Sequence, residues 1–111
     1  MKLYSLVVFV PVDFVGDVKR AIFDAGAGSY AGYSQYCWQS YGVSQYLPHE
    51  GSDPFAGDVG VLQTDEDIRI ETLCHADCVV EVLSALKNAH PYEKPAYFLF
   101  ESHHLKYEDT T

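Results

Sequence analysis

Apolar side chains follow one another almost without a break over residues 3–10, which predicts a strand buried on both faces, and Pro11 ends it. Val15, Val18, Ile22 and Ala25 then recur at helical spacing. Asp13 stands ahead of them as an N-cap and Gly26 behind them at C′. Residues 33–41 read as a second strand, which 43–47 extend past Gly42. Residues 67–73 alternate, with Ile68, Ile70 and Thr72 on one face and Arg69, Glu71 and Leu73 on the other, a third strand. Val79, Val82, Leu83 and Leu86 form the buried stripe of a second helix over 77–89. Pro91 disfavours helical backbone at His90 and so stops that helix. Residues 96–100 supply a fourth strand.

This β-α-β-β-α-β order predicts an α+β, ferredoxin-like sandwich: two helices on one face of a four-stranded antiparallel sheet. Residues 1–102 form the domain and 103–111 a polar C-terminal tail. The usual 4-1-3-2 strand order puts the end of strand one, the loop 48–58 and the start of strand four at one edge. The glycine turn and the segment 74–78 fall at the opposite edge.

The first of those edges gathers chemistry. A stiff corner between Pro91 and Pro95 carries His90, Tyr92, Glu93 and Lys94, and the loop adds His49, Glu50, Asp53 and Asp58. Imidazole and carboxylate at that spacing suit a divalent transition metal such as copper or zinc. His90 is the principal ligand in this reading, Glu93 supports it, and His49 or Asp53 joins from the same or a neighbouring chain. Tyr92, Glu50 and Asp58 are the candidates to line a ligand cleft. The same groups can serve acid–base chemistry, or His90 can cap the preceding helix while Glu93 pairs with Lys94 or a neighbouring subunit.

Composition narrows the partners. Seven basic against sixteen acidic residues give a net charge of −9, which opposes nucleic acid and anionic membranes and favours cations. The ten-residue apolar start is too short for a membrane span and lacks a cleavage pattern. Three cysteines, an odd number with no export signal, fit reduced thiols in a cytoplasmic protein. Cys74-His75-x-x-Cys78 has the spacing of a soft-metal clip but supplies only three ligands, so packed core thiols are the simpler reading. The cluster Gly26-Ala27-Gly28 closes a helix, whereas phosphate loops open one, and it reads as a structural turn. No nucleophile elbow is present. Nine tyrosines suit surfaces that are half wet and half buried, as at interfaces.

Taken together, several stretches resemble a known family. They are Gly26-Ala27-Gly28, Tyr33, Pro48-x-Glu50-Gly51-Ser52-Asp53-Pro54-Phe55-x-Gly57, Arg69-Ile70-Glu71-Thr72 and Ala89-His90-Pro91-Tyr92-Glu93-x-Pro95-Ala96-Tyr97. In that order the chain resembles the YqfO-type insert domain of the NGG-interacting-factor-like proteins, itself similar to PII signal-transduction and CutA divalent-ion-tolerance proteins. The chain departs from the pattern at Tyr36, where Cys is frequent, at Lys94, where an acid is common, and at Asp53, where Asn is common. The resemblance implies a domain that trimerises through its sheets, with sites in clefts between subunits. It also implies that the dinuclear metal centre of full-length relatives sits on a separate, larger domain.

The expected function is therefore a non-enzymatic, cytoplasmic homotrimer that binds a small ligand or divalent cation between subunits. The rival expectation is a structural oligomerisation or protein-interaction module without ligand. A metal-dependent, hydrolase-related activity ranks third.

Overall fold

The computed structural model describes residues 2–52, 57–92 and 94–103. Strand β1, Leu3–Pro11, is the centre of the molecule because its alternate residues Leu6, Val8 and Val10 are wholly buried. It pairs antiparallel with β3, Gln63–His75, and with β4, Tyr97–Ser102. Strand β2, Cys37–Tyr46, pairs antiparallel with β3, giving the order β2-β3-β1-β4. This is the strand order expected from the sequence.

Helices α1, Val15–Asp24, and α2, Val79–Ala89, pack on one face of the sheet. Their Val18, Ile22, Val82 and Leu86 meet Leu6, Val8, Val10, Ile68, Ile70 and Cys74 in one apolar core. The registers are regular along every pair, so alternation assigns faces without ambiguity. Leu3, Ser5, Val7 and Phe9 of β1 turn away from the helices, together with Trp38, Arg69, Glu71, Leu73, Phe98 and Phe100. Neither α1 nor α2 packs on this second face, where Leu3 and Val7 are buried while Trp38, Phe98 and Phe100 are more than half exposed.

Three local expectations change. Asp13 is not the N-cap of α1: a single 3-10 turn, Val12–Phe14, intervenes, and Phe14 occupies the cap position with no side-chain hydrogen bond. Strand β2 starts at Cys37, because Ala31 and Gly32 both adopt positive φ, 52° and 85°, and close a tight turn between Tyr30 and Tyr33. Two backbone bonds of 2.8 Å seal that turn, the pattern of a type I′ hairpin. Strand β3 begins four residues before Asp67, since Gln63 to Glu66 pair with Tyr46 to Val43. Gly26, at φ 119°, does end α1 as a C′ residue, and Ala27 N–H closes onto the Ile22 carbonyl. The tail beyond His103 lies outside the described residues.

Candidate functional site

The corner after α2 is built by proline chemistry. His90 takes an extended backbone, φ −79° and ψ 138°, and its N–H still bonds the Leu86 carbonyl at 2.9 Å, so the helix ends cleanly there. Its side chain is only 5% exposed. Nε2–H donates to the Phe9 carbonyl at 2.7 Å, and Nδ1 accepts the Tyr92 N–H at 3.1 Å. These two bonds fix one neutral tautomer and occupy both ring nitrogens. Burial holds the imidazole pKa below its usual value, against the opposing pull of the Phe9 carbonyl and the Asp67 charge. His90 therefore ties the corner to β1. The helix carbonyls that sequence reasoning offered it as an alternative are not its side chain's partners.

Around this imidazole lies a polar cluster. The His90 and Tyr92 rings stand 4.8 Å apart. Asp65 accepts a hydrogen bond from the Tyr46 hydroxyl at 2.6 Å and another from the Tyr92 hydroxyl. Asp67, 3% exposed, accepts from the Ser44 hydroxyl through Oδ2, while its buried Oδ1 has no partner. Burial and the Asp65 bond push the Tyr46 phenol up to about 12. The Tyr92 phenol is pushed up as well, first by burial and then by the charges of Asp67 and Asp65. Sequence reasoning named His90 and Tyr92 here and missed Ser44, Tyr46, Asp65 and Asp67. Only the strand alternation of Asp65 and Asp67, read with the correct start of β3, would have revealed them.

The loop residues stand elsewhere. His49, Glu50 and Asp58 are exposed in the connection between β2 and β3. Ser52 closes a turn onto the His49 carbonyl with its N–H at 3.1 Å and its hydroxyl at 2.7 Å, and Gly60 N–H bonds the Pro48 carbonyl at 2.8 Å. The topology puts loop and corner at one end of the sheet, as expected, but the hairpin carries the loop outward. Gln63 lies four residues beyond Asp67, about 13 Å at strand rise. Among the described residues nothing brings His49, Glu50 or Asp58 onto His90, and no group of three or more His, Cys, Asp and Glu is arranged to hold a metal ion. Asp53 and Glu93 lie outside the described residues.

The uncovered sheet face holds a groove of about 410 Å³ at the other end of the sheet. Leu3, Val7, Tyr36, Trp38 and Leu73 give it an apolar lining, and Glu71 adds a carboxylate that pairs with Arg69 at 2.7 Å. None of these positions stood out in the sequence as a site, because each reads as ordinary strand packing.

No family model matches the chain. Curated relatives do match: the GTP cyclohydrolase 1 type 2 homolog of Mycobacterium leprae is 39% identical over 94 residues, 85% of this chain and 24% of the relative. That of Halalkalibacterium halodurans is 41% identical over 98 residues, 88% of this chain and 26% of the relative. The chain thus spans about a quarter of the length of the curated relatives it matches. Among solved structures, a Bacillus cereus protein related to NIF3 superposes with TM-score 0.81 and 36% identity over 93% of this chain and 26% of its own. The divalent cation tolerance protein CutA of Archaeoglobus fulgidus superposes with TM-score 0.68 and 11% identity, over 96% of this chain and 89% of its own. GlnK of Bacillus subtilis follows at TM-score 0.62 and 12% identity, over 91% and 82%. At those identities CutA and GlnK speak for the fold alone. The chain is a homologue of one quarter-length segment of the NIF3-related GTP cyclohydrolase 1 type 2 homologs, and that segment has the PII/CutA-like fold.

Proposed function

We propose that this domain is a non-enzymatic homo-oligomeric module that associates through the uncovered face of its sheet and holds a small ligand where two subunits meet. One observation carries the reading: Trp38, Phe98 and Phe100 are 57%, 52% and 55% exposed on a sheet face that no helix among the described residues covers. Large aromatic side chains gain most from being taken out of water, and a second copy presents the same surface in return. A trimer is the assembly that the family resemblance implies. Within it, the groove beside Trp38 and Tyr36 would be closed by a neighbouring chain, giving a ligand an apolar wall and the Glu71 carboxylate.

Metal binding at the His90 corner is the weaker reading. An ion there would have to break the bond to Phe9 or the bond from Tyr92 before finding a free nitrogen. The curated relatives are about four times as long as this chain, so a hydrolase-related activity is not taken over from them.

Native mass spectrometry of the purified protein tests assembly and ligand together. The reading expects a mass of three chains, with any co-purified ligand leaving on activation. A single-chain mass at micromolar concentration would end the oligomer reading. A metal retained by the wild type and lost in His90→Ala would restore the ion reading.

A further inference from the structure

Strand register brings aromatic rings and a carboxylate together in the groove on the open sheet face. Trp38 of β2 and Val7 of β1 stand opposite Glu71 of β3, one on each side of it. Direct cross-strand neighbours on one face have Cβ atoms about 5 Å apart, so the indole and the carboxylate flank the same spot. Tyr36 lines the groove as well, more than half exposed like Trp38, and Tyr30 meets the Tyr36 ring edge-on at 6.2 Å. The Tyr36 backbone is held at both ends. Its N–H bonds the Gly28 carbonyl at 2.9 Å, and its carbonyl takes the Thr72 hydroxyl at 2.7 Å. Leu3, Val7 and Leu73 supply an apolar floor.

We propose that this groove selects an organic ammonium ion methylated at nitrogen, of the quaternary kind. Aromatic faces attract a cation through their quadrupole, and the attraction grows as water is removed. Glu71 supplies the opposite charge, and among the described residues no Lys or Arg lines the groove. An anion would meet that carboxylate and a net charge of −9. A bare ammonium brings three N–H donors that need acceptors, whereas methyl groups need only ring faces and the aliphatic floor. The volume of about 410 Å³ is that of a small-molecule cleft.

The carboxylate already holds one cation. Arg69, two residues along β3 on the same face, sits on Glu71 at 2.7 Å. Both side chains are nearly half exposed, so the pair is weakly held and a ligand can share or take the carboxylate. This ligand class rests on the proposed assembly, in which a neighbouring chain keeps water off the rings.

Trp38 is the single tryptophan of the chain, so its fluorescence reads the groove directly. The probes are choline, its uncharged isostere with tert-butyl in place of trimethylammonium, and unmethylated ethanolamine, each titrated into the full chain. Choline is expected to bind at least about threefold more tightly than either, the order of one cation–aromatic contact. Glu71→Gln is expected to weaken choline by about threefold, and Arg69→Gln, which frees the carboxylate, to tighten it. Equal binding of choline and the uncharged isostere overturns the proposal, as does ethanolamine binding as tightly as choline. Reversed signs in the two variants assign the site to an anion held by Arg69 and overturn it too. Sedimentation of the same samples separates the ligand class from the assembly. An oligomer without the choline preference sinks the ligand class and keeps the assembly. A monomer that shows the preference ends the assembly while the groove keeps its ligand; a monomer without it ends both.

Discussion

The two faces of this sheet are made by the same four strands and live in different worlds. On one face Leu6, Val8, Val10 and Ile70 are fully buried under α1 and α2. On the other, the residues that alternate with them include Phe98, Phe100 and Trp38, more than half exposed. Apolar content alone does not separate the faces. The described residues supply one helical layer, and it lies on the first face. The lesson is that the covered face fixes the fold, while the open face is the one on which the proposed association rests.

The comparison breaks most sharply under truncation. Ile22→Ala, at a fully buried position of α1, should cost about 2–5 kcal/mol through lost burial and the cavity left behind. Phe98→Ala on the open face should cost about 0.5 kcal/mol or less in dilute chains, as surface substitutions do. Its cost should grow with protein concentration, because assembly adds stability by mass action. Urea unfolding of both variants at two concentrations checks this. A concentration-independent Phe98→Ala would place that ring outside any interface.

A middle-sized effect belongs to the corner. His90→Ala strands the Phe9 carbonyl and the Tyr92 N–H and should cost about 1–3 kcal/mol. The folded pKa of His90 is depressed by burial. Its contribution is therefore complete above the unfolded value of about 6.5 and is lost as pH falls below it. Urea midpoints of the wild type should drop between about pH 7 and about pH 5, and the drop should shrink in His90→Ala. Equal drops in both would assign the acid sensitivity to other groups.

The smallest effect is Tyr46→Phe, which removes the hydroxyl that bonds Asp65. A cost of about 0.5–1.5 kcal/mol is expected near neutral pH. The Tyr46 pKa is raised from 10.0 to about 12, so its contribution holds below 10 and is lost as pH climbs through the folded value. Ultraviolet titration of the variant should lack one late-ionising phenol; an unchanged curve would count against the bond.

How much of this could be read in the chain follows from where apolar periodicity exists. β1, α1 and α2 each carry a buried stripe and β4 a half-buried one, and each was legible to within a few residues. The first third of β3 was not. Gln63, Thr64, Asp65 and Glu66 are all polar and none is buried, so no hydrophobic face marks this part of the hairpin. That blind spot hid the Asp65–Asp67 cluster and placed the loop of His49, Glu50 and Asp58 too close to His90. The stop at His90 was legible because proline acts locally, whereas the commitment of its Nε2 depends on a β1 carbonyl 81 residues away. Residues 33–36 looked like strand because tyrosine favours it, and the positive φ of Ala31 and of Gln35 gives no signal in sequence.

Sedimentation equilibrium of the wild type beside Phe98→Glu, at the same micromolar concentration, tests the central claim most directly. A charge at Phe98 leaves the helix-covered core untouched but cannot be buried against a second copy without a partner. The account expects a trimer for the wild type and a folded monomer for the variant, with unchanged far-ultraviolet circular dichroism. A monomeric wild type, or a variant that assembles as the wild type does, would contradict it.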